Sequence, residues 1–178
     1  HADWCVNRWG RVIVTLDAHK DMAMPPLPRL GIMLPVERSM RHVTYYGYGP
    51  DESYIDKREH CYVDMFQAEV EDLHENYIRP QENGSHYHCR YVSLENEKYR
   101  LLAEADNYLD FNVSDYTVEE LAGKRHNFEL EPASGSLLSL DARMMGIGSN
   151  SCGPDLPEEF LRDEAHTVWK VQLQIEEL

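Results

Sequence analysis

Apolar and polar residues alternate with a period of two along most of this chain, the period of half-buried strands. Across residues 11–18, Val12, Val14 and Leu16 fall on one side and Ile13 and Thr15 on the other. The pattern recurs over residues 30–36, 42–46, 61–70, 87–94, 99–105, 126–130, 137–144 and 168–175; in the last, Trp169, Val171, Leu173 and Ile175 oppose Lys170, Gln172 and Gln174. Turn chemistry separates the runs. Pro25, Pro26 and Pro28 hold residues 21–29 extended but outside a ladder, Gly47 to Pro50 ends the run at 42–46, and Asn83-Gly84 is a strong turn signal. Only residues 117–124 ask to be helical, with Asp115 or Thr117 as cap and Glu119 and Glu120 in the first turn. About ten short strands with turns between them predict an all-β antiparallel sandwich, with residues 1–178 as a single domain.

Charge narrows the range of partners. Lys and Arg total 17 against 32 Asp and Glu, a formal charge of −15, so phosphate backbones and anionic lipid are repelled and nucleic acid is not an expected partner. No apolar run reaches the length of a membrane span, and the N-terminus has neither a basic stretch nor an apolar signal segment, so no membrane partner is expected. The start in mid-pattern predicts further residues upstream of His1; missing strands there would leave sheet edges uncovered and favour a homo-oligomer. Cys5, Cys61, Cys89 and Cys152 are scattered, with no C-x-x-C spacing, which predicts free thiols and a cytoplasmic location.

Motif chemistry is sparse. There is no nucleophile elbow, P-loop or dinucleotide fingerprint. His86 and His88 alternate onto one face of a strand beside Cys89, but a closed zinc site needs a third and fourth ligand at defined places, and no metal site is assigned. Glu52, Asp56 and Glu82 lie in turn-rich segments. A glycosidase acid and nucleophile are one use for such carboxylates; the favoured one is structural, with Arg79, Glu52, Asp56 and Glu82 tying loops together by charged hydrogen bonds around the Asn83-Gly84 turn. The stretch from Met144 to Pro154 differs in kind. Gly146, Gly148 and Gly153 give it access to positive φ, and Ser149, Asn150, Ser151 and Cys152 place small polar side chains at its tip, where backbone can approach a ligand closely.

Four segments, in order, carry a resemblance: YYGYGPDESYIDKR at 45–58, YIRPQENG at 77–84, YTVEEL at 116–121 and MGIGSNSCGP at 145–154. Together they resemble the C-terminal domain, of the small-chain type, of LacZ-type β-galactosidases. The resemblance covers nearly the whole chain but only the later part of that longer domain. It implies a β-supersandwich of the galactose-mutarotase-like kind, attached in the whole enzyme to jelly-roll, immunoglobulin-like and TIM-barrel domains. It also implies a retaining glycosidase that removes terminal β-D-galactosyl residues, as from lactose, through two Glu residues, with magnesium and often sodium in or near the barrel. None of those carboxylates or ion ligands maps onto this sequence, so no catalytic residue or cofactor is assigned to it. The expected partners are the catalytic barrel, in the same chain or as a large subunit, and, through it, a β-galactoside. In that family the loop matching residues 149–154 covers the active-site mouth, which marks Gly148, Asn150, Ser151, Cys152 and Gly153 as candidate substrate-binding residues. Some members stack a Trp on the sugar where this chain has Cys152; Ser53 and Tyr45 also depart, from Asn and Trp. Two other readings stay open: a stand-alone carbohydrate-binding module, and a mutarotase-like enzyme using His86 or His88 with Glu82.

Overall fold

The computed structural model describes residues 1–148 and 153–178. Nine strands form it: β1 (Ala2–Val6), β2 (Val12–His19), β3 (Arg29–Val36), β4 (His42–Gly49), β5 (Tyr62–Glu69), β6 (His86–Glu95), β7 (Tyr99–Ser114), β8 (Ser136–Met144) and β9 (His166–Glu177). Every pairing is antiparallel, in the order β1-β2-β9-β7-β6-β4-β5, with β8 joining β7 and β3 joining β8. The architecture is all-β and consistent with a sandwich.

Period-two alternation builds the core as it should. Val14 and Leu16 of β2, Val43 and Tyr45 of β4, Val92 and Leu94 of β6 and Trp169, Val171 and Leu173 of β9 all point into one apolar cluster. β7 organises the whole. Its first half, Tyr99 to Ala105, pairs with β9, whereas Asp110 to Ser114 pairs with β8. Leu109, Phe111 and Val113 are 1%, 0% and 2% exposed. The single α-helix among the described residues, α1 (Val118–Gly123), begins where the Thr117 hydroxyl accepts the Glu120 amide at 3.0 Å.

Three sequence expectations need correction, and one strand was not foreseen. β1 gives no alternating signal because all five of its residues are exposed on an edge. Residues 126–130 are not a strand: Asn127–Glu129 is a 3-10 turn in which Glu129 accepts the amides of Arg125 and His126, and Phe128 is 81% exposed. β7 runs nine residues past the predicted end at Ala105. His86 and His88 do not share a face, because the ladder is irregular between His86 and Cys89 and His88 sits at φ 58°. The rims carry apolar side chains, with Tyr62, Val63 and Met65 on β5 and Trp4 and Val6 on β1 all exposed. No helix among the described residues is long and apolar enough to cross a membrane.

Candidate functional site

The loops after β4, before β6 and after β8 meet at one end of the sheet, where buried and half-buried carboxylates hold them. The segment after β4 closes on itself through reciprocal amide–carbonyl bonds between Tyr54 and Lys57, at 2.9 and 3.0 Å. That turn presents Asp56 to the strand end of β8, where Oδ1 accepts the Ile147 amide at 3.1 Å and Oδ2 the Gly148 amide at 2.8 Å. The neighbouring amides are fixed as well. Met144 donates to Asp110 at 2.9 Å, Met145 to the Pro28 carbonyl at 3.0 Å and Gly146 to the Phe160 carbonyl at 2.9 Å. Five consecutive N–H groups are thus held by four separate segments of chain. Glycine is required within the run: a Cβ on Gly146 would lie 2.6 Å from the Asp56 carboxylate carbon.

Glu52 does for the second loop what Asp56 does for the first. It is 4% exposed; Oε2 accepts the Gly84 amide at 2.7 Å, and Oε1 takes the Lys57 ammonium and the Tyr77 hydroxyl. Burial works against the Lys57 charge, yet its bonds to Glu52 and Tyr77 raise its pKa. Gly84 turns at φ 73°, where a side chain would strike the Leu73 carbonyl. Asn83 seals the same turn, accepting from the Glu75 amide at 3.0 Å and donating to the Gln81 carbonyl at 2.8 Å, while its own carbonyl accepts from Asn112. Ser53 is fully buried, accepting the Tyr87 amide at 2.9 Å and donating to the Tyr48 carbonyl at 3.3 Å, so a short hydroxyl fills this position well.

The third clamp is the one sequence reasoning missed. Arg79 is exposed and makes no side-chain hydrogen bond or ion pair among the described residues; the guanidinium that engages Glu82 is that of Arg29, at 3.2 Å, and it also donates to Asp141 at 2.6 and 3.3 Å. Asp141 is 2% exposed, and burial holds its pKa above the ordinary value although Arg29 pulls the other way. Burial raises Glu82 too, against the same Arg29 charge, and its Oε1 is buried with no partner among the described residues. Two more titratable groups are enclosed nearby. Asp110, which also accepts the His88 amide at 2.8 Å, is pushed up to about 6 by burial. His86, stacked on Phe111 with centroids 4.9 Å apart, is pushed down to about 4 by burial.

Of the residues singled out from sequence, Glu52, Asp56, Glu82 and Asn83 come together here as loop ties, and Arg79 does not join them. Gly148, exposed at φ 74°, and Gly153, exposed in a bend, flank the loop tip; Asn150, Ser151 and Cys152 lie outside the described residues. The carboxylate oxygens of Glu52 and Asp56 already accept from ammonium, hydroxyl and amide donors, so these two side chains present no free oxygen to a magnesium or sodium ion.

Sheet and loop ties define an antiparallel all-β module in which buried carboxylates shape the loops at one end. A family model described as the β-galactosidase small chain matches residues 1–174, and the chain belongs to that family. It is 40% identical over 151 residues to a β-galactosidase of Actinobacillus pleuropneumoniae, covering 85% of this chain and 15% of the relative. It is 38% identical over 171 residues to one of Staphylococcus xylosus, covering 96% and 17%. With a β-galactosidase of Arthrobacter sp. (strain B7) the identity is 34% over 167 residues, covering 90% and 16%. The chain therefore spans about a sixth of the length of these curated relatives.

Proposed function

We propose that this chain is a noncatalytic segment of a β-galactosidase, and that its 148–153 loop forms part of the rim over the sugar site of a catalytic barrel carried elsewhere in the protein. The five tethered amides from Met144 to Gly148 carry this reading, because a loop that orients substrate gains from a stem that does not move. On this reading the retaining chemistry on terminal β-D-galactosyl groups, its two Glu residues and its magnesium and sodium belong to the barrel. The exposed apolar edges at β1 and β5 then meet the remainder of the polypeptide or a second copy.

Thiol labelling of the full-length protein tests the rim. A galactoside should slow alkylation of Cys152, leaving exposed Cys5 unchanged and buried Cys89 slow throughout. Asp56→Asn should loosen the stem, raise KM for an aryl β-galactoside and speed Cys152 labelling, with the catalytic carboxylates untouched. A Cys152 rate that ignores both the galactoside and Asp56→Asn would overturn the rim assignment. The isolated chain should not turn over an aryl β-galactoside; activity in a preparation free of host enzyme, abolished by Glu52→Gln, would overturn the noncatalytic assignment.

A further inference from the structure

Away from the loop cluster, β2 and β9 bring Asp17, His19 and His166 together. His19 and His166 are direct cross-strand partners, and Asp17 lies two residues before His19, so all three project from the same face. That face is the outer one, since Leu16 and Trp169, the buried pair beside them, point into the core. The rings stack with centroids 4.1 Å apart and planes 5° from parallel. Both aim Nε2 at one oxygen: His166 lies 2.8 Å and His19 3.4 Å from Asp17 Oδ1. The three ligand atoms lie within 4.8 Å of one another. Lys20, next in sequence, directs its ammonium to Asp163 and adds no charge to this convergence.

We propose that Asp17, His19 and His166 form a surface site for a late first-row divalent metal, zinc foremost. Two imidazole nitrogens and one carboxylate oxygen suit zinc, nickel or copper, whereas magnesium and calcium prefer all-oxygen surroundings. Paired strands fix the Cα positions, and because the side chains are 46–73% exposed the rings have room to turn as the ligands close to bonding distance. Water completes the shell on the open side. Bound metal would pin β9 to β2 through side chains 149 residues apart in sequence, a separation that hides the site from any spacing motif.

The probe is Zn²⁺ alone, added to the untagged full-length protein after chelator treatment. In the unmodified protein, Zn²⁺ should protect His19 and His166 from diethylpyrocarbonate, read by mass spectrometry, while exposed His126 reacts at its usual rate. Calorimetry should find that His19→Ala or His166→Ala weakens Zn²⁺ binding by more than the roughly 10- to 100-fold that an outer-shell partner alone is worth. Zn²⁺ should also raise the unfolding midpoint of the parent protein and not of the double variant. Equal histidine modification with and without Zn²⁺, or protection shared evenly with His126, would overturn the site, as would a double variant that binds Zn²⁺ like the parent.

Discussion

Two arginines hold the ends of this sheet, and they hold them differently. Arg29 and Arg41 are equally exposed, at 25% of their side-chain surface. Arg29 faces Asp141, 3% exposed, and Glu82; Arg41 faces Asp115, 13% exposed, and Glu71, 63% exposed. For Asp115 burial pulls the pKa up, but the bonds from Arg41 and Ser136 outweigh it and the net shift is downward; Arg41 lowers Glu71 as well. For Asp141 and Glu82 burial wins and the shift is upward. The same ion-pair chemistry thus stabilises ionised carboxylates at one end and only contains a desolvation cost at the other. A buried pair of that kind contributes little by existing and costs much when broken.

The largest effect should follow from Arg29→Met, which leaves buried Asp141 and part-exposed Glu82 without the guanidinium that pairs them: about 3–5 kcal/mol lost in denaturant unfolding near neutral pH. A loss below 1 kcal/mol would mean that the Arg29 cluster is as solvent-screened as its counterpart.

Next comes the pH response of the loop end, where two groups oppose each other. His86 has a folded pKa of about 4 against 6.5, so its contribution is present above 6.5 and is lost as pH falls through 4. Asp110 is raised to about 6 from 3.8, so its contribution is complete below 3.8 and is lost as pH rises through 6. Each amounts to something on the order of 3 kcal/mol, and between pH 4 and 6 they offset. His86→Gln should therefore produce a chain that gains stability on acidification across that window, and Asp110→Asn one that loses it. Parallel profiles for both variants would refute the opposition.

The smallest effect is reserved for Arg41→Met, at about 1 kcal/mol or less. Asp115 and Glu71 have folded pKa values below 3.8 and 4.5, so their contribution is present above those values and fades as pH falls through the depressed ones. The Arg41→Met difference should shrink accordingly in acid, and shrink in high salt too. Insensitivity to salt would place Arg41 with the buried cluster.

How far the sequence foretold this follows from which forces act locally. β2, β4 and β9 were legible because one face of each packs into the core and the other is more exposed, β3 because Ile32 and Leu34 are better covered than Met33 and Pro35, and Thr117 announced the helix through its own hydroxyl. The later half of β7 was not, since residues enclosed on both faces, Asp110 and Asn112 among them, break the alternation that marks a strand. Phe128 and Leu130 mimic alternation in a stretch that finds no partner strand. In the loop cluster, Glu52, Asp56, Glu82 and Asn83 were recognisable as ties from turn chemistry and family resemblance. Their partners were not: Arg29 comes to Asp141 across 112 residues, and nothing near Arg79 in sequence reveals that it faces outward.

The position of β9 bears on how the chain acquires this form. β9 lies between β2 and β7, so the side of β2 that faces β9 has no partner strand until residues 166–177 leave the ribosome. At roughly 5–20 residues per second, the hairpin waits on the order of ten seconds with the flank of β2 bare. Closure is then a late, long-range event of the kind that slows folding and favours chaperone capture. Ribosome-stalled chains released just before and just after β9 should differ sharply in protease resistance across the entire sheet, rather than at its margin alone.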